Sequence, residues 1–422
     1  MAANSNEDVI LQHAQSKSEN DDDNDDDDAD KAEQSNTEAA ELESEVQSTN
    51  LLVKGLRPVD SKGRLRQRYS FHGLATVGGL VFAGVQKGSD SRSFLVVFHC
   101  ASGAMHSLLP SHGDFTEVVS SVTAVPGSKR LYVRDRAFGV RALNAAAVAE
   151  TLEAGTALPR KLRFDMPFLT LKGTSEAIHA ETVCPLQQYL IVTTPQRNET
   201  ALFNTEAGDF AALYKGHSKH PTCSASFKLS WGETAERFVV TGGRDRRVML
   251  FEFATQKRIR TFTGHHHSIL FVGLVCDVIV SASMESLRFF EPRSKAACAF
   301  VRYPSSRSVE ITSVIIARSR VFVGLSSGEI HVFTDKGRRV AILRCIEPAD
   351  PKSPRAGTRS PAVKALASTE DEQFLIASIP LAITLFVWDI SSAEEWHDDK
   401  CRLFFAPSTL STQEEHKKCL IQ

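Results

Sequence analysis

The sequence predicts an all-β protein built from repeated units. From residue 51 onward, helical periodicity is almost absent, whereas short runs of Val, Ile, Phe and Leu recur between polar residues. Such runs, bounded by Gly, Ser, Asp and Asn, are typical of β-strands joined by turns. Pairs of these runs recur along the chain at a spacing of roughly 40 to 60 residues, which is the repeat length of a propeller blade with some long loops.

Seven strand pairs, each joined by a polar turn, can be aligned in this way. They occupy residues 80–103, 130–143, 189–208, 237–253, 277–294, 320–337 and 373–392. A four-stranded sheet cannot bury both of its faces alone, so several sheets must stack around an axis, and seven is a common number. The sequence therefore predicts a seven-bladed β-propeller over residues 51–410. The Ala-rich segment at 144–159 is the weakest part of this alignment and predicts a short helix after the third strand of the second unit.

The first 50 residues differ from the rest of the chain in charge. They hold sixteen Asp and Glu against two Lys, whereas the remaining residues hold 47 basic and 35 acidic side chains. The stretch DDDNDDDDAD at 21–30 repels itself and cannot bury apolar surface to offset chain entropy. We therefore expect residues 1–50 to form a disordered acidic tail, which either solubilises the protein or binds basic partners, and the folded body to be basic.

The sequence suggests neither a membrane protein nor a secreted one. The longest apolar run, at 269–280, is interrupted by Asp277 and falls short of the roughly 20 residues that a membrane span requires. The N-terminus shows no pattern of a signal or transit peptide, so we expect the nucleus or the cytoplasm. The polar stretch at 347–362 predicts a long loop between the sixth and seventh units, and residues 411–422 a C-terminal tail.

Three short motifs give the repeat a more specific character. The last strand pair ends in Trp388-Asp389, and two units carry a Gly-His pair, with His217 and His265, ahead of the next unit. These motifs resemble the WD40 repeat, although most units place Phe where Trp is usual. The resemblance implies a polar network that ties a blade together, in which His217 and an acidic turn residue, here Asp245, take part. It assigns the same structural role to His265, Trp388 and Asp389.

The stretch TGGRDRRVML at 241–250 crowds three arginines into one turn, and its surroundings resemble one branch of the WD40 group. The order of a Gly-His loop, an Arg-Asp turn and an Ile-x-x-Phe-x-Gly-His segment is similar to the non-catalytic WD40 subunit of tRNA guanine-N7 methyltransferase. The resemblance implies that basic residues of this turn dock onto acidic residues of a catalytic subunit, which itself binds S-adenosylmethionine. It also implies a nuclear protein with tRNA as a secondary contact. The partner-binding residues are expected to be Arg244, Arg247, Arg246, Lys257 and Arg258.

Two residues of this turn depart from the family pattern. Gly243 stands where the family usually has Asp, and Arg246 stands where it usually has Glu, which makes the turn more positive. Such charge runs are also found on ordinary solvated faces. If they instead contact phosphates directly, the protein is a ribonucleoprotein or ribosome-assembly factor that binds RNA through its basic face.

Motifs for catalysis are not found in the sequence. It contains no phosphate-binding loop, no nucleophile elbow and no zinc-protease motif, so we expect a protein that is not an enzyme and needs no cofactor. The run His265, His266 and His267 could suggest a metal site. Adjacent residues in a strand point to opposite faces, however, so a solvated loop is favoured over a metal.

Overall fold

A computed structural model describes residues 10–13, 69–87, 93–99, 105–108, 119–124, 130–135, 140–153, 182–186, 189–194, 198–204, 210–231, 234–294, 296–303, 309–345, 362–379, 384–391 and 401–405. These residues are mostly β-strands arranged in seven small antiparallel sheets. The one helix within the described ranges is α1 (Ala145–Glu153). The prediction of an all-β protein is therefore confirmed.

Apart from one additional edge strand in the fifth sheet, the strands of each sheet follow one another in chain order. The first three sheets comprise β2 (Tyr69–Val77), β3 (Leu80–Lys87), β4 (Ser93–His99) and β5 (Met105–Leu108); β6 (Val119–Ala124), β7 (Arg130–Asp135) and β8 (Val140–Asn144); and β9 (Thr182–Leu186), β10 (Tyr189–Thr194), β11 (Glu199–Asn204) and β12 (Phe210–Lys215). The fourth and fifth comprise β13 (Pro221–Trp231), β14 (Thr234–Gly243), β15 (Val248–Glu252) and β16 (Arg258–Phe262); and β17 (Ile269–Val275), β18 (Val278–Ser283), β19 (Ser286–Phe290) and β20 (Ala297–Arg302). The last two comprise β21 (Ile311–Ala317), β22 (Arg320–Leu325), β23 (Glu329–Phe333) and β24 (Arg339–Arg344); and β25 (Ala365–Ser368), β26 (Phe374–Ser378), β27 (Thr384–Asp389) and β28 (Cys401–Phe405).

Each of the seven strand pairs found in the sequence corresponds to the second and third strands of one sheet. In the fourth sheet, for example, β14 pairs with β15 from Phe238 opposite Glu252 to Gly242 opposite Val248. Such central strands are buried on both faces, because a neighbouring sheet covers each face. This burial explains why their sequences are runs of apolar residues rather than strict alternations of apolar and polar ones.

The hydrophobic core lies between neighbouring sheets. One cluster joins the fourth and fifth sheets, where the rings of Phe262 on β16 and Phe290 on β19 lie 4.8 Å apart. A second joins the sixth and seventh sheets around Trp388, which stacks on Phe386 at 5.9 Å. Burial of an apolar side chain of this kind contributes roughly 1.5 to 3 kcal/mol. Each sheet is therefore stabilised by the next sheet along the chain.

The first strands of successive sheets are in contact along the whole series. They are β2, β6, β9, β13, β17, β21 and β25, and the last of them contacts the first. The Oγ1 of Thr76 on β2 donates a hydrogen bond of 2.6 Å to the carbonyl oxygen of Ser368 on β25. The first and seventh sheets, which are far apart in the sequence, are thus joined directly.

The helix α1 follows the third strand of the second sheet and lies inside the Ala-rich segment at 144–159, which confirms that prediction. Asn144 caps it, because its Oδ1 accepts a hydrogen bond of 3.3 Å from the backbone N–H of Ala147. Ala145 and Val148 are buried against the first and second sheets. The helix therefore covers apolar surface in a sheet for which the structure describes three strands.

The segment expected to be disordered contains one short strand. Residues Ile10–His13 form β1, which pairs antiparallel with the outer strand β20 of the fifth sheet. The rest of residues 1–50, the loop at 347–361 and the tail at 411–422 lie outside the described residues. In the part of the chain that the structure describes, no helix is long and apolar enough to cross a membrane.

Candidate partner-binding site

The arginine turn joins the two central strands of the fourth sheet. Gly243 ends β14, and its N–H donates to the carbonyl oxygen of Arg247 at 3.1 Å. Arg246 closes the turn by donating its N–H to the carbonyl oxygen of Gly243 at 3.1 Å, with a φ of 66° in the left-handed region. The side chains of Arg244, Arg246 and Arg247 are exposed. The hairpin therefore projects three cationic side chains into solvent from a hydrogen-bonded turn.

Asp245 points inward and is bound by the loop that precedes the fourth sheet. Its carboxylate lies 2.9 and 3.0 Å from Nδ1 of His217, and it accepts hydrogen bonds from the backbone N–H of Ser218 at 3.0 Å and of Arg247 at 3.2 Å. Nε2 of His217 lies 2.8 Å from Oγ1 of Thr241 on β14. A carboxylate can only accept, so Nδ1 of His217 carries a proton and donates to Asp245.

The side chains of His217 and Asp245 are each only 3% exposed. Burial alone would raise the pKa of Asp245. The hydrogen bond and charge of His217, together with the N–H groups of Ser218 and Arg247, outweigh burial and hold that pKa below its ordinary value. Asp245 is therefore an ionised, fully engaged carboxylate that fixes the turn.

Gly243 has a steric reason in this chain. A Cβ atom at this position would lie 2.6 Å from Nδ1 of His217 and 2.8 Å from Oδ1 of Asp245. Both contacts are closer than van der Waals packing permits. The histidine and aspartate thus pack directly on the backbone of residue 243, and only glycine fits there without a shift of the network.

The arginine turn forms one wall of an open depression of about 560 Å³ between the fourth and fifth sheets. We call it the basic depression. Its walls come from the loop before β13, the turn between β14 and β15, and the loop before β17. The lining residues are Ser218, Lys219, Arg244, Asp245, Arg246, Arg247, His266, His267 and Ser268. Four side chains that are cationic at neutral pH thus face one carboxylate, and that carboxylate is already bound by His217. The depression is accordingly suited to anionic groups.

The two other basic residues expected at the site lie elsewhere on the fourth sheet. Lys257 precedes β16, and its carbonyl oxygen accepts a hydrogen bond from the N–H of Glu252 at the far end of β15. With a rise of about 3.3 Å per residue, the strand separates Lys257 from Arg247 by more than 10 Å. Arg258 reaches back toward Gly216, where an added Cβ would lie 3.1 Å from its Nη1. Neither side chain lines the basic depression.

The three consecutive histidines have different surroundings. His265 is 5% exposed, with Nδ1 3.1 Å from the hydroxyls of Ser283 and Ser286 and Nε2 2.8 Å from that of Ser281. Burial, assisted by the charge of Arg288, lowers its pKa to about 3, so the ring is neutral at neutral pH. His266 and His267 line the basic depression. No group of three or more His, Cys, Asp or Glu suited to a metal occurs among the described residues.

The last two residues expected to have a structural role lie in the seventh sheet. Trp388 is 1% exposed and belongs to the core between the sixth and seventh sheets. Asp389 accepts hydrogen bonds at Oδ1 from the N–H of Ser391 at 2.9 Å and from its hydroxyl at 2.6 Å. Trp388 thus contributes packing, and Asp389 orders the chain just after β27.

Lys219 does not stand out in the sequence as a site residue, and the positions of His266 and His267 predict only a loop. These residues lie in loops between sheets, where no strand pattern shows which loops converge. The one signal in the sequence was that Lys219 follows His217 by only two residues, since the Gly-His loop and the Arg-Asp turn lie side by side in the WD40 repeat that the sequence resembles.

No protein-family model matches this chain, and a search among curated proteins finds no match.

Proposed function

We propose that the seven sheets are the blades of a WD40-type β-propeller that acts as a non-catalytic scaffold. Two observations support the propeller: the first strands of successive sheets are in contact, and the hydrogen bond from Thr76 to Ser368 links the last sheet to the first. The Gly-His loop bound to the Asp245 turn supports the WD40 type. A rigid assembly of this kind offers broad surfaces for partners but supplies no chemistry of its own.

The partner is a catalytic subunit with an acidic surface, most specifically a tRNA guanine-N7 methyltransferase that binds S-adenosylmethionine. The observation that carries this proposal is the basic depression, in which Arg244, Arg246 and Arg247 project from a turn anchored by Asp245. Guanidinium groups match carboxylates with paired hydrogen bonds, and their preset position reduces the entropy that docking costs. tRNA is a secondary contact in this arrangement, and the complex belongs in the nucleus.

The test is purification of the full-length protein from its native cells, with identification of the chains that accompany it. The wild type is expected to retain a methyltransferase, and Arg244→Glu or Arg247→Glu to release it. Lys257→Glu is the matched control, because it makes the same charge change at the far end of the sheet and should leave the complex intact. A complex that survives both arginine reversals would contradict the site.

A salt titration separates this function from direct RNA binding by the isolated protein. Direct phosphate contacts predict that affinity for RNA falls steeply with salt, since counterions released by the nucleic acid drive the binding. The scaffold is expected to bind RNA weakly until the catalytic subunit is present. Tight, salt-sensitive RNA binding by the isolated chain would favour a ribonucleoprotein or ribosome-assembly factor instead.

A further inference from the structure

Three large apolar side chains are exposed among the described residues. They are Ile259 (36% exposed), Leu270 (47%) and Val340 (43%). Ile259 and Val340 lie on β16 and β24, the outermost strands of the fourth and sixth sheets. Isolated apolar side chains are common on protein surfaces and need no explanation at such places. Leu270 differs because it is the most exposed of the three and lies on a first strand.

Leu270 stands beside the basic depression. Ser268 lines the depression, and Leu270 follows two residues later at the start of β17. Two residues span at most about 7 Å of extended chain, so the Cα of Leu270 lies within about 7 Å of the Cα of Ser268. The most exposed of these three side chains thus lies within two residues of a depression that is lined by four cationic side chains.

The backbone that carries Leu270 is fixed. The preceding residue, Ile269, is fully buried between the fourth and fifth sheets, where a Cβ at Gly242 would lie 2.5 Å from its Cγ2. The carbonyl oxygen of Ile269 accepts a hydrogen bond from Oγ1 of Thr222 on β13. The register of β17 against β18 shifts between Ile269 and Phe271, so Leu270 is the extra residue of a β-bulge between two paired residues, and its side chain remains in solvent. Its exposure is thus a property of an ordered strand.

We infer that the basic depression and Leu270 form one composite docking surface for an acidic protein segment that carries an apolar side chain beside its carboxylates. The inference rests on the proposed function, since it specifies what the partner presents to the site. Carboxylates occupy the depression, and the apolar side chain covers Leu270. Protein interfaces commonly combine an apolar contact with a polar rim in this way.

Leu270 also argues for protein rather than RNA as the ligand. Lysine and arginine bind phosphates as well as carboxylates, so the cations alone do not distinguish the two. An aliphatic side chain, however, gains little from a hydrated sugar-phosphate backbone. It gains when another apolar group removes it from water. The leucine accordingly adds affinity that salt does not screen, whereas the affinity from the cations falls as salt rises.

The test uses the full-length protein and three fluorescent probes of equal charge: a short glutamate-rich peptide with a central leucine, the same peptide with alanine in place of leucine, and a single-stranded RNA. We expect the leucine peptide to bind roughly tenfold more tightly than the alanine peptide, the ratio that burial of one such side chain provides. Leu270→Ser should abolish this preference, and Leu270→Met should preserve it. Ile259→Ser is the matched control and should change nothing. Unaltered thermal midpoints show that the variants are folded.

The outcomes separate this inference from the proposed function. If both peptides bind equally and Arg247→Glu weakens both, the acidic docking site stands and the role of Leu270 is wrong. If the preference for leucine survives in Leu270→Ser, or if neither peptide binds, the composite surface is overturned. Tighter binding of RNA than of either peptide would overturn the inference and the proposed function together.

Discussion

Nδ1 of His217 and Oδ1 of Asp245 lie 2.9 Å apart and join the loop before the fourth sheet to the turn between its central strands. This bond leaves no freedom for the turn to adjust, because the N–H groups of Ser218 and Arg247 bind the same carboxylate. The fixed carboxylate consequently directs Arg244, Arg246 and Arg247 outward. A single buried hydrogen-bonded pair thus fixes the backbone that carries three exposed cations, and this backbone is ordered on folding rather than on binding.

Gly243→Ala should lower stability, because the added Cβ would lie 2.6 Å from Nδ1 of His217. Relief of this contact requires the histidine or the aspartate to move and lose a hydrogen bond. We expect the free energy of unfolding to fall by roughly 1 to 3 kcal/mol. Urea denaturation followed by circular dichroism measures this change.

Gly79→Ala provides the matched control for Gly243→Ala. A Cβ at Gly79, in the turn between β2 and β3, would meet no atom within 4 Å. The two variants make the same change in the unfolded chain, so any difference between them comes from the folded state. Equal stability of the two proteins would contradict the steric account of why residue 243 is glycine.

Arg246→Gly should weaken docking without destabilising the protein. Arg246 adopts a φ of 66°, a conformation that costs a non-glycine residue about 1 kcal/mol and that glycine adopts freely. The substitution therefore removes one cation from the basic depression while it relieves the turn. We expect a free energy of unfolding within about 1 kcal/mol of that of the wild type, and weaker retention of the proposed catalytic partner.

Arg246→Lys separates charge from backbone conformation in this experiment. Lysine keeps the positive charge and the strain of a non-glycine residue in the left-handed region. Arg246→Lys should therefore retain most of the partner binding and should not gain the stability that Arg246→Gly gains. If Arg246→Gly bound the partner as tightly as the wild type does, Arg246 would have no part in the interface. In that case Arg244, Arg247 and Lys219 would be the cations that matter.

The regular parts of this structure were predictable from the sequence, and the contacts between its parts were not. Apolar runs identified β14 and β15, because central strands need residues that can be buried on both faces. The Gly-His and Arg-Asp motifs identified His217 and Asp245 through a resemblance. The convergence of Lys219 and His266 depends on how two sheets are placed side by side, and local sequence does not encode that distance.

The hydrogen bond between Tyr303 and His331 shows the same limit. It joins residues of the fifth and sixth sheets, with the tyrosine hydroxyl 3.1 Å from Nδ1 of the imidazole. Neither residue belongs to a motif of the repeat. A buried polar pair between two sheets depends on how those sheets pack together, so the sequence pattern of a single unit does not predict it.

His265 should make stability fall as the pH is lowered below neutrality. Burial lowers its pKa from 6.5 to about 3, so the unfolded chain binds a proton in this range and the folded protein does not. The folded state therefore loses stability as the pH falls below 6.5, by at most roughly 1.4 kcal/mol per pH unit. Chemical denaturation at a series of pH values measures this slope.

The variant His265→Gln tests whether this histidine is the source of the slope. Glutamine can still bond to the hydroxyls of Ser281 and Ser283 but does not titrate. We expect the variant to be less stable than the wild type at pH 7, and its stability to depend less on pH between 6.5 and about 3. If the slope is the same in both proteins, another group is responsible for the loss of stability.

The lowered pKa of Glu329 should also make the stability of the protein fall with pH, in a more acidic range than His265 does. His331 donates Nε2–H to its Oε2 at 3.3 Å, and Arg344 donates Nε–H to its Oε1 at 3.1 Å. The hydrogen bond from His331 outweighs burial and, with Arg344, lowers the pKa of Glu329 from 4.5 to about 2. Because the folded pKa lies below the unfolded one, this stabilisation is complete above pH 4.5 and is lost as the pH falls toward 2.

We expect Glu329→Gln to lower the free energy of unfolding by about 2 kcal/mol at pH 7, a value reduced from the full shift because Arg344 is exposed to screening by solvent. The difference between the variant and the wild type should shrink as the pH falls from 4.5 toward 2, since protonated Glu329 and glutamine are both uncharged. Arg344→Gln is the matched control: it removes the exposed partner and keeps the buried His331 bond, so its effect should be smaller. A difference that stays constant over this range would show that Glu329 stabilises the protein by its shape and packing rather than by its charge.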